Sequence, residues 1–197
     1  MSKLYFATSN ENKFREASKI LANYGVRLYM KKLDLLEKQS DDPAMIASAK
    51  ASDAWNALHN DVIVEDDGLF IDTLEGFPGP YSAFVYRTIG NEGVLKLMKD
   101  TTNRRAKFQS VIAFCRRGLI PRIFRGEVRG TITKTQRGRS WGYDPIFIPK
   151  YSSGLTYAEL KSKKNKLSHR KLALERFAEW YSKHVITDKR PKLKSRK

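Results

Sequence analysis

The sequence predicts an α/β fold in which helices flank one mixed β-sheet. In the first half, apolar runs of strand length alternate with segments of helical periodicity, an order typical of parallel βαβ units. In the second half, β-rich runs at 106–115 and 119–129 are separated only by Arg116-Arg117-Gly118, which predicts an antiparallel hairpin. Because the 197 residues show no internal repeat and no flexible internal linker, we expect the two halves to share one sheet.

Each element has its own local signal. The first helix follows the polar triplet Thr8-Ser9-Asn10, which offers capping side chains, and the second has Pro43 in its first turn. Ser168 is the expected N-cap of the last helix. In chain order, we predict strands at 4–7 and 26–30, a helix at 43–58, strands at 62–64 and 69–71, helical segments at 81–86 and 91–99, the hairpin, a strand at 144–148 and a closing helix at 168–183.

The chain carries 38 Lys and Arg against 21 Asp and Glu, for a formal net charge of +17, and this charge is unevenly distributed. Residues 1–100 hold 12 basic and 15 acidic side chains, whereas 101–197 hold 26 and 6. The asymmetry suits an anionic partner such as a polyphosphate, nucleic acid or an acidic membrane surface. Residues 188–197 contain six of the basic side chains, so we expect a disordered basic tail that could make nonspecific nucleic-acid contacts.

Composition also excludes some classes of protein. No apolar run of about 18 residues is present to cross a bilayer, and the first residues resemble a strand more than a signal peptide, so a cytoplasmic protein without a membrane partner is expected. The single cysteine, Cys115, lies in an apolar run and is predicted to be a buried thiol. One cysteine excludes both an internal disulfide and a Cys-based metal site.

The acidic triplet Glu65-Asp66-Asp67 is the strongest local signal of chemistry. It follows the apolar run Val62-Ile63-Val64, which places three carboxylates together at a predicted strand end. Their mutual repulsion would be offset by a bound cation or a proton. A polar turn between two strands explains the same pattern, since Asp-Gly is a common turn dipeptide. The triplet alone does not decide between these two interpretations.

Three further segments carry weaker signals. The run 8–13 joins a strand to a helix and brings backbone N–H groups and Lys13 together, which suits a phosphate, although an ordinary capping loop is an alternative. Trp141-Gly142-Tyr143 would allow a nucleobase to stack, or would fill the core. In Ser168-His169-Arg170, the arginine could donate to a keto oxygen or a phosphate with His169 orienting it, although a solvated basic loop competes. Together these signals describe a nucleotide hydrolase.

With these motifs, the chain resembles the Ham1-like, inosine triphosphate pyrophosphatase family. The resemblance rests on motifs that follow one another in family order up to about residue 180, and the segment 86–93 is most similar to archaeal members. These motifs are Thr8-Ser9-Asn10-Glu11-Asn12-Lys13, Val64-Glu65-Asp66-Asp67-Gly68-Leu69, Gly76-Phe77-Pro78-Gly79-Pro80-Tyr81-Ser82, Gly142-Tyr143-Asp144-Pro145-Ile146-Phe147 and Ser168-His169-Arg170.

The resemblance implies an elongated single domain at 1–187, made of two lobes with a nucleotide cleft between them, that forms a homodimer. It also implies Mg²⁺-dependent hydrolysis of noncanonical purine nucleoside triphosphates (ITP, dITP and XTP) to the monophosphate and pyrophosphate. Asp66 would be the general base, and Glu37, Glu65 and Asp66 the metal ligands, with Asp41 or Asp42 as alternatives to Glu37. The substrate-binding residues would be Thr8, Ser9, Asn10, Lys13, Lys50, Asp67, Trp141, Gly142, Tyr143, Asp144, Lys164, His169 and Arg170.

Two positions depart from the family pattern. Asp67 stands where most members have Ser or Thr, which adds a third negative charge beside a polyanionic substrate and would either weaken its binding or capture a cation. Trp141 stands where Phe is usual and should preserve stacking. Two other functions stay open: a pyrophosphatase acting on modified pyrimidine nucleotides, which Ser168-His169-Arg170 disfavours, and a nucleic-acid-binding protein, which the basic second half favours.

Overall fold

The fold is described from a computed structural model, which covers residues 3–36, 38–117 and 119–186. The predicted α/β class with a mixed sheet is confirmed. The strands are β1 (Leu4–Ala7), β2 (Leu28–Lys31), β3 (Val62–Ile71), β4 (Pro78–Gly79), β5 (Arg105–Cys115), β6 (Arg122–Ile132) and β7 (Phe147–Pro149). The helices are α1 (Glu11–Ala22), α2 (Pro43–Leu58), α3 (Ser82–Thr88), α4 (Gly90–Leu97), α5 (Tyr157–Leu160) and α6 (His169–Tyr181).

One seven-stranded sheet runs through both halves of the chain, in the order β2-β1-β3-β5-β6-β7, with β4 paired to β3. Strand β1 pairs in parallel with β2 and with β3. The pairs β3–β5, β5–β6 and β6–β7 are antiparallel. The predicted hairpin is therefore confirmed as β5–β6. The parallel strands come from the first half and the antiparallel ones mainly from the second, as the order of elements predicts.

Helices cover both faces of the parallel end of the sheet. On one face, α1 and α6 pack over the sheet in a cluster that includes Leu4, Phe6, Ala17, Leu21, Ile63, Ile112, Leu174 and Phe177. On the other face, α2 presents Ala44, Ala47, Ala51 and Ala54 to Val62, Val64, Val111 and Ala113. Its small side chains let the Ala-rich helix lie close to the strands. The three layers form the first lobe.

The second lobe is built on the far ends of the long strands. Leu69, Ile71, Phe108 and Val128 from β3, β5 and β6 pack there against side chains of α3–α5 and β7. The sequence predicted α3 and α4 with shifted ends, at 81–86 and 91–99 instead of Ser82–Thr88 and Gly90–Leu97, and it did not predict α5. The strand predicted at 144–148 is wrong in part. Asp144–Ile146 forms a turn of 3₁₀-helix around Pro145, and the strand begins only at Phe147.

The acidic triplet does not stand at a strand end. Strand β3 continues through it from Val62 to Ile71, paired along its whole length with β5. Both earlier placements, a strand end and a polar turn, are wrong because an eleven-residue partner strand holds this stretch extended. On its other edge, β3 pairs with β1 only at Val62 and Ile63, and with β4 only at Leu69 and Phe70. The edge between these two contacts opens into a cleft.

The structure also bears on the predictions made for Cys115 and for membrane-spanning helices. Cys115 is a free, buried thiol as expected, and its burial raises its pKa. None of the helices within the described ranges is long and apolar enough to cross a membrane. Glu37 and the tail at 188–197 lie outside the described residues, so the structure does not address the predictions made for them.

A close approach in the sheet fixes the start of α6. Gly126 of β6 lies so near this helix that an added Cβ would come within 2.1 Å of the His169 carbonyl oxygen and 2.5 Å of the Ala173 nitrogen. A glycine is therefore required for α6 to rest directly on the strand. Ser168 caps the helix by accepting a hydrogen bond from the Lys171 N–H, as predicted. The result is that His169 and Arg170 are buried against the sheet.

Candidate active site

The cleft between the two lobes is a cavity of about 800 Å³. Within the described part of the chain, it brings together every residue that the sequence predicted for the site. These residues are Thr8, Ser9, Asn10, Lys13, Lys50, Glu65, Asp66, Asp67, Trp141, Gly142, Tyr143, Asp144, Lys164, His169 and Arg170. They come from distant parts of the chain, so their convergence is a property of the fold and not of local sequence.

The side chains of the acidic triplet point to opposite faces of the sheet. Successive residues of a strand alternate between its faces, and Ile63 packs under α1 and α6 whereas Val64 packs under α2. Glu65 and Asp67 accordingly form ion pairs with Arg170 of α6. Asp66 faces the other side, where its Oδ1 lies 3.6 Å from Lys50 Nζ of α2. The triplet is therefore two separate sites and not one cluster of three carboxylates.

Arg170 is the centre of the larger site, and it is fully buried. Its Nε lies 2.9 Å from both carboxylate oxygens of Glu65, and its Nη2 donates to Asp67 at 2.8 Å. Its Nη1 pairs with Glu16 of α1. Burial alone would lower the pKa of the guanidinium, but these three carboxylates raise it above its ordinary value. A guanidinium has five N–H donors, and these contacts use three of them.

Glu16 is a second centre of the network. Its Oε1 accepts hydrogen bonds from Lys164 Nζ at 3.0 Å and from Trp141 Nε1 at 3.1 Å. Its Oε2 accepts a hydrogen bond from Arg170 Nη1. Burial would raise the pKa of this carboxyl, but Arg170 and Lys164 lower it below its ordinary value. Helix α1 is thereby tied to the three side chains that border the far end of the cleft.

Asp67 connects the two ends of the cleft. Its Oδ1 pairs with Lys13 Nζ, and its Oδ2 lies 2.8 Å from Arg170 Nη2 and 3.9 Å from His169 Nε2. Burial raises the pKa of Asp67, but Lys13, His169 and Arg170 together lower it well below its ordinary value. Burial also lowers the pKa of His169, so this ring is neutral at neutral pH. It stacks on Phe108, with ring centroids 4.5 Å apart.

The loop before α1 combines both roles considered for it. Asn10 is the N-cap, and its Oδ1 accepts hydrogen bonds from the N–H groups of Asn12 and Lys13. The capping interpretation is therefore confirmed, yet the same helix N-terminus borders the cleft and favours anions there. Lys13 is not a solvated lysine, because only 17% of its side chain is exposed.

Trp141 and Tyr143 have different environments. The Trp141 ring borders the cleft, with the Lys164 ammonium 4.8 Å and the Arg170 guanidinium 5.3 Å from its centroid. Tyr143 belongs to the core of the second lobe, and its hydroxyl donates to the Ser82 carbonyl at 2.9 Å. Asp144 is buried and accepts from Ser140 and Lys164, each at 2.8 Å. The stacking interpretation therefore suits Trp141, whereas Tyr143 mainly fills the core.

Carboxylate oxygens that could bind a metal are spread out. Asp66 borders the cleft on the α2 side, and position 37 precedes this helix in the sequence. The Glu65 carboxylate is fully buried and engaged by Arg170 and by the Ser110 hydroxyl at 2.6 Å. Among the residues that the structure describes, no group of three or more His, Cys, Asp or Glu side chains has the arrangement of a metal site.

Comparison with known proteins agrees with this geometry. The sequence model of the Ham1 family matches residues 4–180. The chain belongs to the Ham1 family. A protein named dITP/XTP pyrophosphatase from Methanopyrus kandleri is 51% identical over 185 residues, covering 93% of this chain and 98% of that protein. A Methanosarcina mazei protein of the same name is 44% identical, covering 92% and 98%.

Solved structures of the Ham1 family have the same fold. The HAM1 protein from Coxiella burnetii superposes with a TM-score of 0.80 at 27% identity, covering 93% of this chain and all of that one. The Ham1 protein of Staphylococcus aureus gives a TM-score of 0.78 at 28% identity, covering 92% and 98%. The matches extend over nearly the whole length of each chain.

The sequence analysis did not identify three residues of the Ham1 site. Glu16 lies one helical turn after Lys13 on α1, so i, i+3 spacing was a signal that could have found it. Ser110 faces Asp67 across the β3–β5 ladder and reaches Glu65, and Phe108 supports His169. Nothing in their local sequence marks Ser110 or Phe108, because their roles depend on the register between two strands.

The Glu16 and Asp67 carboxylates predict how stability depends on pH. Both have a lower pKa in the folded protein than their ordinary values of 4.5 and 3.8. A lowered pKa adds stability that is present above the ordinary value and is lost as the pH falls toward the folded value. We expect the free energy of unfolding, measured by urea titration, to fall between pH 6 and pH 3. Glu16→Gln should lower it by about 2 kcal/mol at pH 7 and weaken this pH dependence.

The matched control is Glu11→Gln, on the exposed side of the same helix, where the carboxylate only approaches Lys32 at 3.6 Å. This change should leave both the stability and its pH dependence nearly unaltered. Equal effects of the two substitutions would show that the Glu16 network does not stabilise the fold.

Proposed function

We propose that this Ham1 protein hydrolyses deaminated purine nucleoside triphosphates (ITP, dITP and XTP) to the nucleoside monophosphate and pyrophosphate. The observation that carries the proposal is one cleft that joins a helix N-terminus with Lys13, the carboxylate of Asp66, and a wall made of Trp141 and Arg170. These are the groups needed to hold phosphates, to activate water and to select a base. The names of the similar proteins, dITP/XTP pyrophosphatase, support the same activity.

The phosphate end of the cleft would be the N-terminus of α1 together with Lys13. The helix dipole favours an anion there, and Thr8, Ser9 and Asn10 line the approach. Lys50, on the α2 side, adds a second cation beside Asp66. A triphosphate held between these lysines would lie across the open edge of β3, with its α-phosphorus near Asp66.

Asp66 would act as the general base. It takes a proton from water, the water oxygen attacks the α-phosphorus, and the bond to the bridging oxygen breaks so that pyrophosphate leaves. Mg²⁺, when bound by Asp66, Glu37 and the substrate phosphates, would neutralise phosphate charge; one or two carboxylates suffice for such a site. Glu65 would join the metal only by leaving Arg170, and its role as a ligand stays a prediction.

The base end of the cleft would select the purine. Trp141 offers a surface for stacking, and Arg170, Lys164 and the neighbouring Gly142, Tyr143, Asp144 and His169 would surround the ring. Arg170 donates but cannot accept, so it suits the 6-keto oxygen of hypoxanthine or xanthine and not the 6-amino group of adenine. A mismatched base leaves buried donors unpaired, which costs transition-state stabilisation.

Two other functions were considered from the sequence. The nucleic-acid-binding alternative depends on the net positive charge of residues 101–197 and on the basic tail at 188–197, and this tail lies outside the described residues. Among the described residues, no contact favours it, or favours modified pyrimidines, over the purine triphosphates. A cytoplasmic location, where the nucleotide pool lies, remains part of the proposal.

The first test compares steady-state kcat/KM on ITP, dITP, XTP, GTP and ATP in the presence of Mg²⁺. We expect ATP to be poorer than ITP by about 10²-fold, because the 6-amino group cannot accept from Arg170. GTP shares the 6-keto group and differs from ITP only at its 2-amino group, so it separates the two positions. Equal kcat/KM for ATP and ITP would contradict the proposed selection of the base.

The second test is Asp66→Asn, which keeps the shape of the side chain but removes the base. We expect kcat to fall by at least about 10²-fold while nucleotide binding, measured by calorimetry, is retained. Chelation of Mg²⁺ by EDTA should also abolish turnover of the unaltered protein. Asp72→Asn, an exposed carboxylate later on the same chain segment, is the control. A variant at position 66 that keeps most of its kcat would show that Asp66 is not the base.

We also propose that the chain forms a homodimer, as the family resemblance implies, and that α3 and α4 form its interface. These helices and the residue between them expose Phe84, Leu97 and Ile89, with 59%, 53% and 44% of each residue accessible. Large apolar side chains concentrated on neighbouring helices are typical of a protein interface. Their burial against a second copy would remove this apolar surface from water.

The dimer is tested by light scattering coupled to size-exclusion chromatography. The unaltered chain should elute with twice its own mass, and Leu97→Glu should shift it toward the monomer by placing a charge in the interface. Leu119→Glu, at the exposed tip of the β5–β6 hairpin, is the matched control and should stay dimeric. A monomeric unaltered chain would rule out the dimer.

A further inference from the structure

Asp67 holds the lysine that the proposed function assigns to the substrate phosphates. The Lys13 ammonium pairs with its Oδ1, and both side chains line the cleft, with 17% and 15% exposed. A phosphate that binds Lys13 from the cleft must therefore separate this pair, or share the lysine with a carboxylate. Either event sets the negative charge of Asp67 against that of the ligand.

Asp67 cannot move away freely when a ligand arrives. Its second oxygen, Oδ2, is held by Arg170 Nη2 at 2.8 Å, with His169 Nε2 at 3.9 Å. Arg170 is itself fixed by Glu65 and Glu16 and is fully buried. The carboxylate thus stays beside the phosphate end of the cleft even after Lys13 has been taken by the ligand.

The buried network around Arg170 holds more carboxylates than cations. Within the described residues, Lys13, Lys164 and Arg170 face Glu16, Glu65, Asp67 and Asp144 in one connected network. The network contains three cations and four carboxylates, so it carries a net charge of one negative unit when His169 is neutral. Without Asp67 the charges would balance, and Lys13 would have no carboxylate partner in this network.

We propose that Asp67 competes with phosphate for Lys13, so that an anion is retained only when it makes further contacts in the cleft. The inference rests on the proposed function in taking Lys13 as a phosphate ligand. Inorganic pyrophosphate, which has no base to contact Trp141 and Arg170, is disfavoured by Asp67. A nucleoside triphosphate offsets the same cost through its base. Asp67 thereby limits occupation of the cleft by the product and by free phosphates.

The experiment measures binding of inorganic pyrophosphate to the full chain by isothermal titration calorimetry, with and without Mg²⁺. Asp67→Asn, which keeps the size of the side chain, should bind pyrophosphate roughly tenfold more tightly than the unaltered chain. The KM for dITP should fall in the same direction, with less change in kcat. Asp72→Asn removes the same charge from an exposed pair with Arg105 outside the cleft and should leave pyrophosphate binding unchanged.

A double-mutant cycle separates competition for Lys13 from a general loss of negative charge. In a Lys13→Met background, Asp67→Asn should no longer tighten pyrophosphate binding by the same factor, because the shared lysine is gone. An equal gain in both backgrounds, or no gain in either, would overturn the proposal. If Asp67→Asn fails to fold, as judged by thermal unfolding, Asp67→Ser is measured in the same cycle and its result decides.

The outcomes also distinguish this inference from the proposed function. Tighter pyrophosphate binding by Asp67→Asn in a chain that does not hydrolyse dITP would support the competition and contradict the activity. Hydrolysis of dITP by a chain whose pyrophosphate binding is unchanged by Asp67→Asn would contradict the competition and support the activity.

Discussion

The rest of the structure depends on the burial of one guanidinium. Moving a charge out of water costs several kcal/mol unless it is paired and hydrogen-bonded, and Arg170 is fully buried. Its compensation comes from three carboxylates on two other elements, Glu65 and Asp67 on β3 and Glu16 on α1. These contacts hold α1, β3 and α6 in one relative arrangement. The wall of the cleft is therefore rigid for the same reason that the buried charge is tolerated.

Strand geometry then divides three adjacent acids between two kinds of chemistry. Because side chains alternate across a sheet, Glu65 and Asp67 belong to the Arg170 network, whereas Asp66 faces Lys50 on the other side. A turn or a helix would not separate neighbouring residues in this way. Pairing with β5 along the whole of β3 keeps the stretch extended, and the missing neighbour on its other edge leaves Asp66 accessible from the cleft.

Much of this arrangement could be predicted from sequence, because its signals are local. The caps Asn10 and Ser168 start α1 and α6 as predicted, and the Ala-rich helix has the predicted bounds. The extension of β3 through the acidic triplet could not, since it depends on a partner strand some forty residues later. The same is true of Glu16, whose three partners lie between positions 141 and 170. The contrasting roles of Trp141 and Tyr143 arise from which ring the second lobe buries, and adjacent motifs carry no such information.

The uneven charge of the chain has a consistent physical explanation in this cleft. The first half supplies three of the four carboxylates that face Lys13, Lys164 and Arg170 inside the site, so the site itself has no excess of positive charge. The excess positive charge of residues 101–197 lies in the rest of the second half, including exposed Arg139, Lys161, Lys163 and Lys166. A positive surface around a balanced site attracts a polyanion from solution without holding it indiscriminately once it has entered. Nucleic acid is thus not required to account for the basic composition, because a polyphosphate substrate needs the same long-range field and only the contacts inside the cleft select it.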